Sequence, residues 1–291
     1  MISVLGHTAT DHIFLVGNLP EKHHSTFILD HKIYYGGGAA NIAAGIATLG
    51  EEAELVSAVG DDFAGSDYDL WLDELSVKKR FFVVDNARTA SCYLYNDESG
   101  DQITFFEWGA SSEFSNLEAP ALDFVHMATA DPEFNVHVAE KSDFASFDPG
   151  QDLLRYSKEQ LESILGNIDV LFANQHEVRD MCAMMGIRKD DLVEMVPLAV
   201  FTMSGDGSVL FCGGDLHRIP AINVPLADPT GAGDAYRAGF LSAYRRGYVP
   251  LTCCKVGTVA ASFVVEKVGC QTNLADWERM NARYSEYFGV L

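Results

Sequence analysis

The run from Asp228 to Asp234, which reads Asp-Pro-Thr-Gly-Ala-Gly-Asp, contains the residue types with the clearest chemistry in this chain. Small residues at Gly231, Ala232 and Gly233 precede an apolar-periodic helix, so unpaired amides at its positive end can bind phosphate oxygens. Asp234 lies in the first turn of that helix, within reach of an attacking hydroxyl group. A phosphate cradle beside a carboxylate base predicts phosphoryl transfer to an alcohol. The alternative is a capped helix after a proline-containing turn.

A second glycine-rich run, Gly36-Gly-Gly-Ala-Ala-Asn41, precedes another predicted helix. Three glycines without Cβ atoms let a flat ligand lie against the backbone. Asn41 can offer a donor and an acceptor to vicinal hydroxyls, and Asp11, which we place in the loop after the first strand, can accept two hydrogen bonds. A left-handed glycine turn is the alternative. A dinucleotide-binding fingerprint fits poorly, because the run departs from GxGxxG and does not directly follow the first strand.

Two further polar motifs follow predicted strands. Asn174-Gln-His-Glu177 opens a helix, where a capping box explains it, although an amide and a carboxylate also suit the water shell of magnesium. Thr202-Met-Ser-Gly-Asp-Gly207 is compatible with backbone contacts to phosphate and equally with a hairpin turn before the apolar run at 208–212.

Taken together, these motifs resemble those of the ribokinase family, the PfkB-type carbohydrate and nucleoside kinases, from the first strand to beyond residue 270. Val59-Gly-Asp-Asp-Phe-Ala-Gly65 adds to that resemblance. Several stretches resemble the archaeal nucleoside kinase branch in particular: 6–11, 104–110, 129–135, 146–152 and 268–274.

The resemblance implies a role for each matching residue. Asp234 would be the general base, with charge on the transferring group stabilised by Gly231, Ala232 and Gly233. The acceptor would be bound by Asp11, Gly37, Gly38, Asn41 and Gln102. Phosphates of the nucleotide would be bound by Asn174, Thr202, Ser204, Gly205 and Gly207, where Ser204 shifts the family's glycine spacing. Magnesium would be held mostly through water by Asn174 and Glu177. A potassium site would be formed by Asp228, Thr230, Val264, Lys267, Gly269 and Asn273, with Asn273 replacing the usual hydroxyl residue.

The elements that must position these residues alternate along the chain. Apolar runs predict strands at Ile2–Gly6, Ala53–Val59, Asp123–Met127, Phe144–Phe147, Asp169–Phe172 and Leu198–Thr202. Helix-compatible segments lie near 39–49, 66–75, 133–142, 157–166 and 175–185. This alternation predicts an α/β fold with a central, mostly parallel sheet between two helix layers, the three-layer ribokinase-like fold that the resemblance implies.

Residues 12–35 and 79–108 break this rhythm. Both segments alternate apolar and polar residues, as in Lys79–Val84 and Ile103–Phe106, which predicts antiparallel strands without intervening helices. We therefore expect a single kinase domain over 1–291 with a small β-sheet lid made from these two segments. Exposed edges of such a lid favour a homodimer paired strand to strand.

Composition excludes several function classes. A formal net charge of −22 argues against binding to nucleic acid or to an anionic membrane. The N-terminus has no basic region followed by an apolar stretch, which argues against a signal peptide, and six cysteines without CxxC spacing predict a cytoplasmic protein with small core thiols. Bound phosphate must therefore be stabilised by local backbone dipoles and cations.

The sequence thus predicts a phosphotransferase that uses ATP and Mg²⁺, with K⁺ as a further candidate ion, to phosphorylate the 5′-hydroxyl of nucleosides of the inosine, guanosine, cytidine and adenosine type. The lid has few cations for an acceptor phosphate, with only Lys32 and Arg88 suitably placed. Aromatic residues at Phe105, Phe106 and Trp108 can stack on a base or belong to the core. Arg237 can reach a phosphate or lie on the helix surface. The alternatives are a sugar kinase of the same family and a nucleoside-binding regulator without turnover.

Overall fold

Two sheets of different size organise the chain, and the computed structural model describes residues 1–99 and 101–291. The strands are β1 (Ile2–Leu5), β2 (Ala9–Val16), β3 (Ile28–Gly36), β4 (Ala53–Gly60), β5 (Lys78–Val84), β6 (Ala90–Asp97), β7 (Gln102–Glu107), β8 (Val125–Met127), β9 (Ala145–Phe147), β10 (Val170–Asn174), β11 (Leu198–Thr202), β12 (Ser208–Cys212) and β13 (Asp215–Ile219). The helices are α1 (Gly38–Thr48), α2 (Asp67–Glu74), α3 (Pro132–Lys141), α4 (Lys158–Leu165), α5 (Gln175–Met185), α6 (Lys189–Glu194), α7 (Ala232–Arg245), α8 (Pro250–Val264) and α9 (Trp277–Phe288).

The large sheet has nine strands in the order β13-β12-β11-β10-β9-β8-β1-β4-β5. Its strands pair in parallel except where β11, β12 and β13 form an antiparallel edge. Helices α1, α2, α7, α8 and α9 pack on one face and α3 to α6 on the other, which explains why the inner strands are apolar throughout. The predicted three-layer α/β fold is confirmed.

The lid is a four-stranded sheet in the order β3-β2-β6-β7. Its strands come from residues 9–36 and 90–107, and β2 pairs in parallel with β6 while the other two pairings are antiparallel. Gly100, inside the second predicted lid segment, lies outside the described residues.

Two local predictions about the lid are wrong. The run Lys79–Val84 lies in β5, which pairs in parallel with β4 at the edge of the large sheet. Its side chains alternate because an edge strand is only half covered, a pattern that an antiparallel lid strand shares. Asp11 lies within β2 rather than in a loop, because the chain turns over residues 6–8 directly into the lid.

The predicted strands and helices between residues 2 and 202 agree with the structure to within two residues at each end. The sequence patterns did not indicate α6, α8 and α9. Across residues 1–99 and 101–291, no helix combines the length and the apolar character needed to span a bilayer.

Candidate active site

The turn predicted to form a phosphate cradle lies where α7 begins. Gly231 has a left-handed backbone (φ 79°), and a Cβ there would lie 2.8 Å from the Cβ of Cys270, so this position requires glycine. The amide of Ala232 donates to the carbonyl of Pro229 at 3.2 Å. The amides of Gly233 and Asp234 have no hydrogen-bond partner within the described parts of the chain and lie at the wall of a cavity of about 770 Å³. This end of α7 therefore has free donors for an anion.

Asp234 is oriented by two side chains. Its Oδ2 accepts a hydrogen bond from Nδ2 of Asn41 at 2.9 Å, and its Oδ1 lies 3.5 Å from Nη1 of Arg237. Burial raises the pKa of Asp234 to about 6, against the opposing effects of the Arg237 charge and the Asn41 hydrogen bond. The carboxylate is thus ionised at neutral pH and still basic enough to take a proton from a hydroxyl group.

Asn41 is held in a chain of hydrogen bonds behind the base. Its Oδ1 accepts from Nε2 of Gln271 at 2.9 Å, and the same nitrogen lies 2.7 Å from the hydroxyl of Tyr68. Trp71 in turn donates to Oε1 of Gln271. Asn41 therefore fixes the rotamer of Asp234.

The residues predicted to bind the acceptor gather opposite the cradle, with one exception. Asp11 is buried with its carboxylate against Gly36, where any Cβ would overlap it. A Cβ on Gly37 (φ 89°) would lie 2.5 Å from the carbonyl oxygen of His7, so the chain needs glycine there as well. Gly38 lines the cavity beside Asp234.

Burial, together with the nearby charges of Asp234 and Asp228, raises the pKa of Asp11 to about 7.

Gln102 lies away from the other residues predicted to bind the acceptor. It is exposed at the start of β7, and its Nε2 donates to Oδ1 of Asn96 at 2.7 Å. Asp11 pairs with Cys92 on β6, four residues before Asn96, so Gln102 lies roughly 13 Å further along the lid.

The residues predicted to bind the nucleotide all line the cavity: Asn174, Thr202, Ser204, Gly205 and Gly207. Glu177, predicted to hold magnesium, lines it as well. Asn174 and Thr202 end β10 and β11, where ligands collect in open α/β sheets. Residues Ser204–Asp206 form one 3-10 turn of a hairpin closed by the Met203 amide on the Gly207 carbonyl at 2.8 Å. The hairpin alternative is therefore correct for the backbone, and the same turn borders the cavity.

The set around Asn174 and Glu177 fits a hydrated magnesium ion. Asn174 and Glu177 form a capping box, in which Oε2 of Glu177 accepts from the Asn174 amide at 2.7 Å. Burial and the neighbouring Asp148 raise the pKa of Glu177 to about 7. Residues 1–99 and 101–291 contain no cluster of three side chains able to hold a metal directly. An ion here would be bound through phosphate oxygens and water, as magnesium prefers.

The proposed potassium ligands meet behind the cradle, but one of them does not fit. The Asp228 carboxylate accepts from the amides of Thr230 and Gly269, and the Lys267 amide donates to the Val264 carbonyl. Asn273 donates its amide to the Phe263 carbonyl, and its Oδ1 accepts from the Arg279 guanidinium at 3.3 Å. The Oδ1 of Asn273 thus already accepts one hydrogen bond, and the adjacent guanidinium charge opposes a cation there.

Three residues of this site were missed by sequence reasoning: Tyr68, Asp148 and Gln271. Arg237 was left with two alternatives, a phosphate contact or a place on the helix surface. Asp148 and Gln271 belong to the two stretches at 146–152 and 268–274 whose resemblance to the archaeal branch was noted, which was the available signal. Nothing in the sequence near Tyr68 indicates its contact with Gln271.

Comparison with known proteins agrees with this geometry. The model of the pfkB family carbohydrate kinases matches residues 1–277. A nucleoside kinase from Methanocaldococcus jannaschii is 42% identical, over 98% of this chain and 97% of its own. One from Methanothermobacter thermautotrophicus is 39% identical, over 98% of this chain and 96% of its own. The crystal structure of the M. jannaschii nucleoside kinase, described as an archaeal member of the ribokinase family, superimposes with a TM-score of 0.95 and covers 98% of both chains. The predicted family resemblance is confirmed.

Proposed function

The chain belongs to the pfkB family of carbohydrate kinases, and we propose that it transfers the γ-phosphoryl group of ATP to the 5′-hydroxyl of a nucleoside. The observation that carries this proposal is the position of Asp234. Its carboxylate lies between free amides of the α7 cradle and the group formed by Asp11, Gly36–Gly38 and Asn41. Two relatives named nucleoside kinase, at 42% and 39% identity, support the choice of acceptor.

In the proposed reaction, Asp234 accepts the proton of the 5′-hydroxyl group while the hydroxyl oxygen attacks the γ-phosphorus. The bond from that phosphorus to the β,γ-bridging oxygen breaks, and ADP leaves with the electron pair. The amides of Gly233 and Asp234 stabilise negative charge on the transferring group. Magnesium near Asn174 and Glu177 supplies neutralising charge to the phosphates when bound. Potassium has no step in this scheme, because the Arg279 guanidinium beside Asn273 opposes a cation there.

The scarcity of free basic residues in the lid favours an acceptor that carries no phosphate group. The two candidate cations of the lid are exposed and already face acids, with Lys32 at 3.2 Å from Asp30 and Arg88 at 3.8 Å from Asp62. A phosphorylated sugar needs a cluster of free basic groups, which these residues do not form.

An aromatic cluster at the base of the lid supports a nucleoside acceptor. Phe106 and Trp108 pack against the His7 ring, at 5.2 and 4.9 Å between centroids. Phe105 is 60% exposed and lies on the opposite, outer face of the lid sheet, so we exclude it from base binding.

We further propose a cytoplasmic location and a homodimer formed through the lid. All six cysteines are free thiols, which supports a reducing compartment. Both edges of the lid sheet, β3 and β7, are largely exposed, and the outer face carries apolar side chains at Ile33 and Phe105.

A substrate panel tests the reaction. ADP release from MgATP should be driven by inosine, guanosine, cytidine and adenosine with higher kcat/KM than by ribose or fructose 6-phosphate. A higher kcat/KM for either sugar would favour the sugar-kinase alternative. Nucleoside binding by calorimetry without ATP consumption would favour the regulator.

A further inference from the structure

Arg237 lies one turn after Asp234 in α7 and is buried beneath the cradle rather than exposed on the helix surface. Its Nη2 is 2.6 Å from Oδ2 of Asp148, and both side chains are at most 10% exposed. Asp148 directly follows β9, so this ion pair joins the start of α7 to the carboxyl edge of the large sheet. The guanidinium also lies 3.5 Å from Oδ1 of Asp234 and borders the cavity.

The second glycine of the cradle makes room for this guanidinium. A Cβ on Gly233 would lie 2.7 Å from Nη1 of Arg237. The end of an arginine side chain can usually move aside, but this one is held by Asp148. Gly233 therefore accommodates Arg237 in addition to any phosphate, and the two positions are sterically matched.

Charged and polar groups reach Asp234 from several elements packed around it, and the buried Cys270 thiol also lies near it, beside Gly231. Asn41 approaches from α1, Asp11 from β2, Asp148 from the end of β9 and Arg237 from α7, while Glu177 on α5 faces the pair of Arg237 and Asp148. Arg237 lowers the pKa of Asp234 and Asp148 raises it. The buried pair thus acts on the carboxylate with two opposite signs, and removal of either member leaves the other uncompensated.

We propose that Arg237 is a positioning residue that keeps Asp234 ionised and oriented for proton transfer, with Asp148 as its anchor. The proposal rests on the function proposed above, since it assigns Asp234 as the base. In this proposal, Asp148 and Arg237 act together as one ion pair rather than as separate phosphate ligands.

Variants that remove one charge of this ion pair should shift the pH dependence of kcat in opposite directions, which tests the proposal. Arg237→Gln should lower kcat. It should also move the acid limb of the pH–kcat profile, where kcat falls on acidification, upward by about one pH unit or more, because the remaining Asp148 charge disfavours ionised Asp234. Asp148→Asn should move the limb downward, because Arg237 is then free to pair with Asp234. The double variant removes the pair without a change in net charge and should return the limb to within about half a pH unit of the wild type.

The pKa of Asp234, followed by ¹³C NMR in aspartate-labelled protein without substrates, should move in the same directions. This measurement separates the inference from the proposed function, which wild-type turnover alone decides. Arg246→Gln is the matched control, because it breaks a half-buried pair with Glu51 (2.7 Å) at the far end of α7 and should leave the limb in place.

A limb that stays in place in both single variants, or moves the same way in both, would overturn the proposal. If Arg237→Gln does not fold, Asp148→Asn and the double variant decide together. Loss of the Asp148 charge alone also moves the limb downward, so the proposal requires that the additional removal of Arg237 reverses this shift. A double variant that keeps the downward shift would overturn the proposal.

Discussion

Two carboxylates of the site titrate close to neutral pH for the same physical reason. Burial raises the pKa of Asp234 to about 6 and that of Asp11 to about 7, and for an acid this means that the neutral form persists to higher pH. Both proposed roles need the ionised form. We therefore expect kcat/KM for a ribonucleoside to fall as pH falls. In a plot of log kcat/KM against pH, the slope should approach 2 below about pH 6. In Asp11→Asn the slope should become 1, measured across pH 4.5 to 8; an unchanged slope would remove Asp11 from the titration.

The base itself can be tested by a substitution that keeps its shape. Asp234→Asn should reduce kcat by about 10²–10⁴-fold, because the amide has no proton affinity, while nucleoside binding measured by calorimetry persists. Asp276→Asn is the matched control, since Asp276 caps the start of α9 away from the cavity and asparagine also caps helices well. A near-normal kcat in Asp234→Asn would show that another group takes the proton.

The sugar hydroxyls form the third residue-level test. If Asp11 and Asn41 bind vicinal hydroxyls, a 2′-deoxynucleoside leaves a buried polar group without a partner, at a cost of roughly 1–3 kcal/mol. We expect kcat/KM for ribonucleosides to exceed that for 2′-deoxynucleosides by about ten- to a hundred-fold. Asp11→Ala should abolish most of this preference and weaken all ribonucleosides alike. Equal rates for both sugars in the wild type would leave the kinase in place and discard this role for Asp11.

At the scale of elements, the lid connects to the body through the strand that carries Asp11. We expect saturating nucleoside to protect amides of β2, β3, β6 and β7 from hydrogen exchange as the lid closes over the acceptor. Strand β5 is the internal control, because it belongs to the large sheet and its exchange should not change. Equal protection of β5 and the lid strands would indicate a general stabilisation by the ligand instead of closure.

Predictions from the sequence were correct where the pattern behind them lay within a short stretch of the chain. Apolar runs and their spacing located the strands and helices up to residue 202 except α6. The glycine-rich turn at the start of α7 could be predicted because the turn and its helix are contiguous in sequence. Edge strand β5 was misassigned, since half-covered strands alternate in either sheet. The contacts of Gln271 with Asn41 and of Arg237 with Asp148 join residues 230 and 89 positions apart, so no local pattern encodes them.

For the molecule as a whole, net charge and ligand charge have the same sign. A chain with formal charge −22 repels ATP at long range, so binding must come from short-range donors at the start of α7 and from cations bound with the nucleotide. Because solvent-exposed charges are screened over about 10 Å at 0.1 M salt, the long-range repulsion weakens in salt while the cradle contacts do not. We therefore expect recognition of the triphosphate to be confined to one helix end and its neighbours.

The same repulsion opposes association of two chains, which makes the proposed lid dimer dependent on salt. The outer face of the lid is apolar and aromatic. Its side chains form a continuous stack in which Phe14 lies 4.7 Å from Tyr95 between ring centroids, and Ile33 and Phe105 are 57% and 60% exposed. Burying this face between two copies would remove apolar surface from water, while two charges of −22 would repel each other.

We therefore expect sedimentation to show a dimer of the 31.8 kDa chain that tightens as salt is raised from 0.05 to 0.5 M. Ile33→Glu combined with Phe105→Glu should produce monomers without a loss of thermal stability in the monomer, because both side chains are exposed there. Val83→Glu is the control for either single substitution, since Val83 is as exposed as Phe105 (60%) but lies on β5, outside the lid, and adds one negative charge as each of them does. A wild type that remains monomeric at high salt, or a double variant that still dimerises, would place the contact elsewhere.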